Sequence, residues 1–216
     1  MVIQIAEEII DQNKPLTTEI LYNKAKKRLN LSRRGLLSII QLLFNKKILV
    51  EGSKYTKKSI LLNPYRKIIF NFIHNNIGAH FSLIRKGTFS GEETKASPGQ
   101  LIWHLEMLLK FKYIKKVKVG NYTIFLPIEI DEQKGKLYFL LRDELTKKII
   151  TLLLEKEPIK KSEIYKLLDQ KRELVYYRIN NLKEDKIINL MKKEEKGLYL
   201  NSNKKKLIKE ILNIEI

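Results

Sequence analysis

Apolar residues recur along this chain at helical spacing, broken by short polar punctuation. The clearest stretch runs from Leu101 to Ile114, where Ile102, Leu105, Leu108 and Leu109 fall on one face of a helix. A basic, β-prone run follows from Lys115 to Pro127. Gly120-Asn121 divides it into two alternating segments, which predicts a β-hairpin.

The same pattern returns 74 positions later, with Tyr176, Ile179 and Leu182 in the apolar places and Ile187-Ile188 at the end. A strand from Ile188 to Met191, a turn from Lys192 to Gly197 and a strand Leu198-Tyr199-Leu200 are expected after it. Moving 66 positions back from the first stretch, Leu36, Ile39, Leu42 and Ile48 match again. There the hairpin is degenerate, because Val50 to Lys54 leads quickly into Thr56 to Leu62. A helix running straight into a basic hairpin is the second half of a winged helix, and repetition at a fixed interval points to an array of such units.

Upstream helices complete each copy. Ile5, Ile9 and Ile10 line a first helix, and Pro15-Leu16-Thr17 breaks it, with Thr17 or Thr18 free to cap the next. Asn63-Pro64 opens a helix with buried Ile68, Ile69, Phe72 and Ile73, followed by a turn at Asn75 to Gly78 and a short helix from His80 to Lys86. A third first-helix is expected from about Tyr138 to Glu157-Pro158, and a short second one over Ser162 to Leu168. The fold expected is mainly α with small β-hairpin wings: three tandem winged-helix or helix-turn-helix modules. They span 1–62 (wing short or absent), 63–130, and 131–216 with a closing helix from Lys204 to Leu212. That last helix is expected to dock on the chain or to pair with a second copy as a homodimer.

Charge then narrows the function. Lys plus Arg number 43 against 24 Asp plus Glu, a formal charge of +19. It divides into +7, +6 and +6 over the three expected modules, so no single basic tail supplies it. Cations on every module suit a long polyanion, whose condensed counterions are released on binding. A Lys-, Ile- and Asn-rich composition also follows from an A/T-rich genome, but that bias should raise Glu with Lys. With no cysteine and three histidines, disulfides and zinc fingers are excluded. The longest apolar runs fall short of a membrane span, and Met1 to Glu8 lacks the form of a signal peptide, so a cytoplasmic location is expected. His74, His80 and His104 are scattered and no phosphate-cradling glycine motif occurs, so the chain is not expected to be an enzyme or to hold a cofactor.

Three segments carry a resemblance: Asn63-Pro64-Tyr65-Arg66-Lys67-Ile68-Ile69-Phe70, Ile77-Gly78-Ala79-His80-Phe81 and Leu101-Ile102-Trp103-His104-Leu105. Together they resemble archaeal winged-helix transcription regulators of the ArsR/MarR-like group. Those proteins show an Arg-led first helix, a glycine turn followed by histidine, and a recognition helix containing Tyr/Trp-His-Leu. The likeness is good over 63–127, fair over 141–200 and weak over 1–62. Here Phe111-Lys112-Tyr113-Ile114 has lysine where the group has glycine. The resemblance implies duplex DNA as partner, with the third helix in the major groove and the wing beside the backbone.

Candidate contacts follow from that geometry, since the start of a recognition helix meets base edges and flanking cations meet phosphates. They are Arg33 and Arg34 after a capping Ser32; Ser97, Gln100 and His104; Lys115, Lys116, Lys118 and Asn121 on the wing. In the last module they are Lys171, Arg172 and Arg178, with Lys192 and Lys193. Gln100 is the foremost base reader, because glutamine pairs bidentately with adenine. His104 is read either as a DNA contact or as a half-buried residue bonded within the fold, and Trp103 as core. The stretch Gly87 to Ser97 reads as a loop tip. The function expected is a DNA-binding transcription regulator or chromatin-like binder. Its rival is a winged-helix adaptor or scaffold subunit, favoured by Glu194-Glu195 on the third wing and the reduced first wing.

Overall fold

The computed structural model describes residues 1–89, 97–190 and 197–213. It is mainly helical with small antiparallel strands, and divides into two compact units. The first comprises Met1–Asn76 and Phe81–Lys116, the second Ile77–His80 and Val117–Ile216.

In the first unit, α1 (Val2–Asp11), α2 (Thr18–Lys26) and α3 (Arg33–Asn45) close on a core of Ile5, Ala6, Ile9, Leu16, Leu21, Leu36 and Ile40. Thr17 caps α2 by accepting from the Ile20 N–H. A short α4 (Lys57–Ile60), absent from the sequence reading, forms because Thr56 and Ser59 make a reciprocal capping box. Then come α5 (Pro64–Asn75), α6 (Phe81–Thr88) and α7 (Pro98–Lys110), with α6 and α7 both packed on α5. Asn63 caps α5 through the Arg66 N–H, as expected of Asn-Pro. The Tyr113 hydroxyl donates to the Lys57 carbonyl at 2.7 Å, tying the end of the α7 segment to α4.

In the second unit, β1 (Ala79–His80) pairs antiparallel with β3 (Tyr122–Pro127), and β2 (Ile114–Val119) completes a three-stranded sheet of order β1-β3-β2. Gly120 turns the hairpin at φ +52°. Then come α8 (Glu132–Leu140), α9 (Glu144–Lys156), α10 (Lys161–Leu167), α11 (Arg172–Glu184), a ladder of β4 (Ile188–Leu190) with β5 (Leu198–Leu200), and α12 (Ser202–Leu212). Their shared core includes Leu126, Leu137, Ile149, Leu153, Ile164, Ile179 and Ile208. The expected single helix from Tyr138 to Glu157 is in fact two. Asp143 breaks it, because its carboxylate accepts from the Thr146 N–H at 2.8 Å and caps α9. The closing helix α12 packs on α8 of its own unit, with Leu207, Ile211 and Leu212 against the core.

One local motif occurs three times. The helices α3, α7 and α11 are each 13 residues long and begin after Ser32, Ser97 and Lys171. Each buries the same positions: Leu36, Ile40 and Leu43; Leu101, Leu105 and Leu108; Val175, Ile179 and Leu182. Each ends on a left-handed lysine, Lys47, Lys112 or Lys186, at φ +55°, +52° and +53°. The residue after it donates back across the turn: Ile48 to Leu43, Tyr113 to Leu108, Ile187 to Leu182, at 3.0, 2.9 and 2.8 Å. This is the Schellman closure, which satisfies carbonyls the helix leaves open. Caps and lysines fix the first interval at 65 positions (Lys47 to Lys112), one fewer than the apolar pattern suggests. The buried face is rotated to match. Ile39, Leu42 and Ile102, expected inside, are exposed, Ile102 by 47%.

The segment before the second helix of each triplet is also shared. Ala79 pairs with Phe125, Ile159 bridges to Leu198, and the Leu16 carbonyl accepts from the Gly52 N–H at 2.9 Å. In the first copy that single bond stands where the second has a strand and the third an isolated bridge; no strand occurs between 46 and 63.

Candidate nucleic-acid interface

In the first unit, the start of α3 is set by Ser32, whose Oγ accepts from the Gly35 N–H at 3.2 Å. Arg33 and Arg34 follow it, exposed, at the positive end of the helix dipole. The start of α7 is a complete capping box. Ser97 Oγ accepts from the Gln100 N–H at 3.2 Å, and Gln100 Oε1 accepts from the Ser97 N–H at 2.8 Å. Both residues are exposed. Proline at 98 costs this end nothing, since its missing N–H had no partner inside the helix.

His104 sits on the buried face of α7, stacked on Tyr65 at 5.7 Å between centroids and edge-on to Trp103 at 4.9 Å. Burial and then the nearby Arg66 charge lower its pKa, so the ring is neutral at pH 7. The ring is therefore inside the fold, but its Nδ1 has no hydrogen-bond partner, so the bond expected of a histidine held within the fold is not made there. Trp103, expected as core, is 45% exposed. Lys115 is half-buried and Lys116 exposed.

In the second unit, β2 buries Val117 and Val119 and turns Lys118 outward, β3 buries Ile124 to Pro127 without a break, and Asn121 is exposed at the turn. Lys171 and Arg172 open α11, both exposed. The Arg172 guanidinium lies 5.0 Å from the Tyr176 ring centroid, and Lys161 Nζ, from the start of α10, lies 3.8 Å from the same centroid. Burial and then the charge of Arg172 lower the Lys161 pKa; burial and then Lys161 lower that of Lys183. No carboxylate pairs with Lys161, Arg172 or Lys183 among the described residues. Lys161 and Arg172 repel each other over the Tyr176 ring, and Lys183 repels Lys161, an arrangement that an anion relieves.

Arg178 is held differently. Its Nη2 and Nε meet the two carboxylate oxygens of Asp143 at 3.2 and 3.3 Å. Burial works against charge on Asp143, but hydrogen bonds from Arg178 and Thr146 outweigh it and hold the carboxyl below its usual range. Arg178 is thereby committed to the α9 cap. It also lines, with Asn121, His80, Tyr122, Phe139 and Arg142, a cavity of about 270 Å³ in this unit.

Sequence reasoning missed Lys161 and Lys183. The available signal was the Lys160-Lys161 pair just before a helix, which had no counterpart in the repeat pattern. Lys192 and Lys193, with Glu194 and Glu195, lie outside the described residues, as does most of the expected loop tip at 90–96. Gly87, at the start of that tip, belongs instead to α6. Among the described residues, no group of His, Asp or Glu could hold a metal, and no helix is long and apolar enough to cross a membrane.

No model of a known protein family matches the chain. Over 141 residues, 65% of its length, the chain is 33% identical to an uncharacterised HTH-type transcriptional regulator of Methanocaldococcus jannaschii. It spans 33% of the length of that protein. The mainly helical fold with small antiparallel strands is consistent with that likeness.

Proposed function

We propose that this protein is a DNA-binding transcription regulator built from three tandem winged-helix-type modules, 1–62, 63–130 and 131–216. The observation that carries the reading is the thrice-repeated 13-residue helix, each copy presenting its polar or cationic start to solvent. Helix starts of this kind meet DNA bases and phosphates. The HTH-type name of the similar archaeal protein and the charge of +19 support the same partner, duplex DNA.

In this reading Arg33, Arg34, Ser97, Gln100, Lys171 and Arg172 approach the groove. Lys115, Lys116, Lys118 and Asn121 meet backbone from the wing. Lys161 and Lys183 join them as phosphate contacts, since Lys161 lies beside Arg172, Lys183 beside Lys161, and neither pairs with a carboxylate among the described residues. His104, on the buried face of α7, and Arg178, on the Asp143 cap, are not assigned to DNA in this reading.

Fluorescence anisotropy of the full chain on random duplex, measured over a series of salt concentrations, tests the reading. Neutralising about six phosphates gives a log–log slope near about −5. Charge reversal at Lys161 and Lys183 weakens binding to all sequences alike and flattens that slope. Absence of binding at low salt would overturn the proposal.

A further inference from the structure

A second charged site lies in the first unit, where Arg66 occupies the third position of α5. It is only 3% exposed, and its Nε and Nη1 are buried without a hydrogen-bond partner. The guanidinium is sandwiched between rings, its Cζ 4.8 Å from the Tyr55 centroid and 5.5 Å from that of Trp103. No carboxylate pairs with it among the described residues. Beside it stands His104, 7% exposed, whose Nδ1 is also buried and unpartnered. Tyr65 stacks on His104 and meets Phe89 at 5.8 Å, closing the aromatic surround.

Arginine cannot shed its charge, so this cation stays buried and uncompensated. Two rings offset part of the desolvation through cation–π attraction, but they satisfy no N–H. A purely structural role would be served as well by an apolar side chain of similar volume, which often packs more favourably than a buried ion. The group therefore fits a ligand better than it fits the core alone. The guanidinium's unmet needs are donor needs on a positive charge, which selects an oxygen acceptor carrying negative charge.

We propose that Arg66 and His104, beneath the rings of Tyr55, Tyr65 and Trp103, form the binding site of a small oxyanion, a carboxylate or inorganic phosphate. The anion accepts from Arg66 Nε–H and Nη1–H and from His104 Nδ1–H. Half-exposed Trp103 forms the outer wall and shifts as the anion enters. The site stands on its own geometry and does not rest on the DNA-binding reading.

Trp103 is the single tryptophan of the chain, so its emission reports the site directly. The full-length protein is titrated with sodium acetate and, separately, sodium phosphate, at ionic strength held constant with sodium chloride. A saturable change in Trp103 emission is expected with at least one of them, and which one identifies the source of the oxyanion. Arg66→Met raises the Kd by about 10- to 100-fold, the loss expected for hydrogen bonds to a charged group. Proton NMR gives an independent readout: saturating anion raises the His104 pKa from its lowered value. No saturable change with either salt overturns the proposal, as does an equal response in Arg66→Met. Should that variant fail to fold, the wild-type His104 titration decides, and a pKa unmoved by both anions overturns the site.

Discussion

Lys112 holds a backbone conformation that costs an L-residue energy, and replacing it with glycine should stabilise the first unit. Its φ is +52° at the Schellman end of α7, and its side chain is exposed, with no hydrogen bond or ion pair among the described residues. The left-handed region costs a residue with a Cβ about 1–2 kcal/mol. Glycine removes that cost but gains about 0.4–1 kcal/mol of freedom in the unfolded chain. The difference predicts a net stabilisation of about 0.5–1 kcal/mol for Lys112→Gly. Urea denaturation followed by Trp103 fluorescence is the assay, since Trp103 lies on α7 itself. The midpoint should rise with an unchanged slope, because the surface exposed on unfolding is the same. Lys112→Ala, which keeps the Cβ, should leave the midpoint nearly where it is. A lower midpoint for the glycine variant, or an equal gain for both, would refute the strain argument.

Close packing and charge give two further expectations. A Cβ at Gly87 would fall 2.0 Å from Phe72 Cε2, so Gly87→Ala should destabilise the first unit by about 1–2 kcal/mol in the same denaturation, whereas Gly99→Ala, whose nearest neighbour is Ser97 Oγ at 3.8 Å, should not. Asp143 has a folded pKa below its unfolded value of 3.8, so its contribution is present above that value and fades as pH falls through the lower folded one. Asp143→Asn keeps a capping side chain but loses the Arg178 pair; its stability relative to wild type, from chemical denaturation across acidic pH, should be lower at neutral pH and converge with it in acid.

The helix triplets were legible because their starts and stops are written in local chemistry. Asn63-Pro64, Ser32 and Gly120-Asn121 each satisfy or free particular backbone groups, and the structure uses all of them as read. The faces were less legible. Leu36, Leu37, Ile39, Ile40, Leu42 and Leu43 offer two overlapping apolar stripes, and periodicity alone does not choose between them. The tertiary core chose Leu36, Ile40 and Leu43. In the site, exposed arginines at helix starts could be placed from sequence, but pairing could not. Arg178 and Asp143 are 35 residues apart, and nothing local announces that one neutralises the other. His104 and Arg66 likewise meet only through the packing of α7 on α5.

The capping box at the start of α7 restricts what Gln100 can say to a base. Its carbonyl oxygen is spent on a backbone N–H, and only oxygen can fill that role, so the amide's orientation is settled. What is left wholly free is the pair of amide donors, while the oxygen keeps one lone pair beside the bond it already accepts. Adenine's two-point pairing needs that oxygen as well, which the cap holds in place, whereas the free amide donors can address guanine O6 or N7, thymine O4 or adenine N7 with little discrimination. A reader of this kind recognises groove shape and acceptor density more than a particular letter. Sequence selectivity, where this helix provides it, then falls to residues other than its most obvious glutamine.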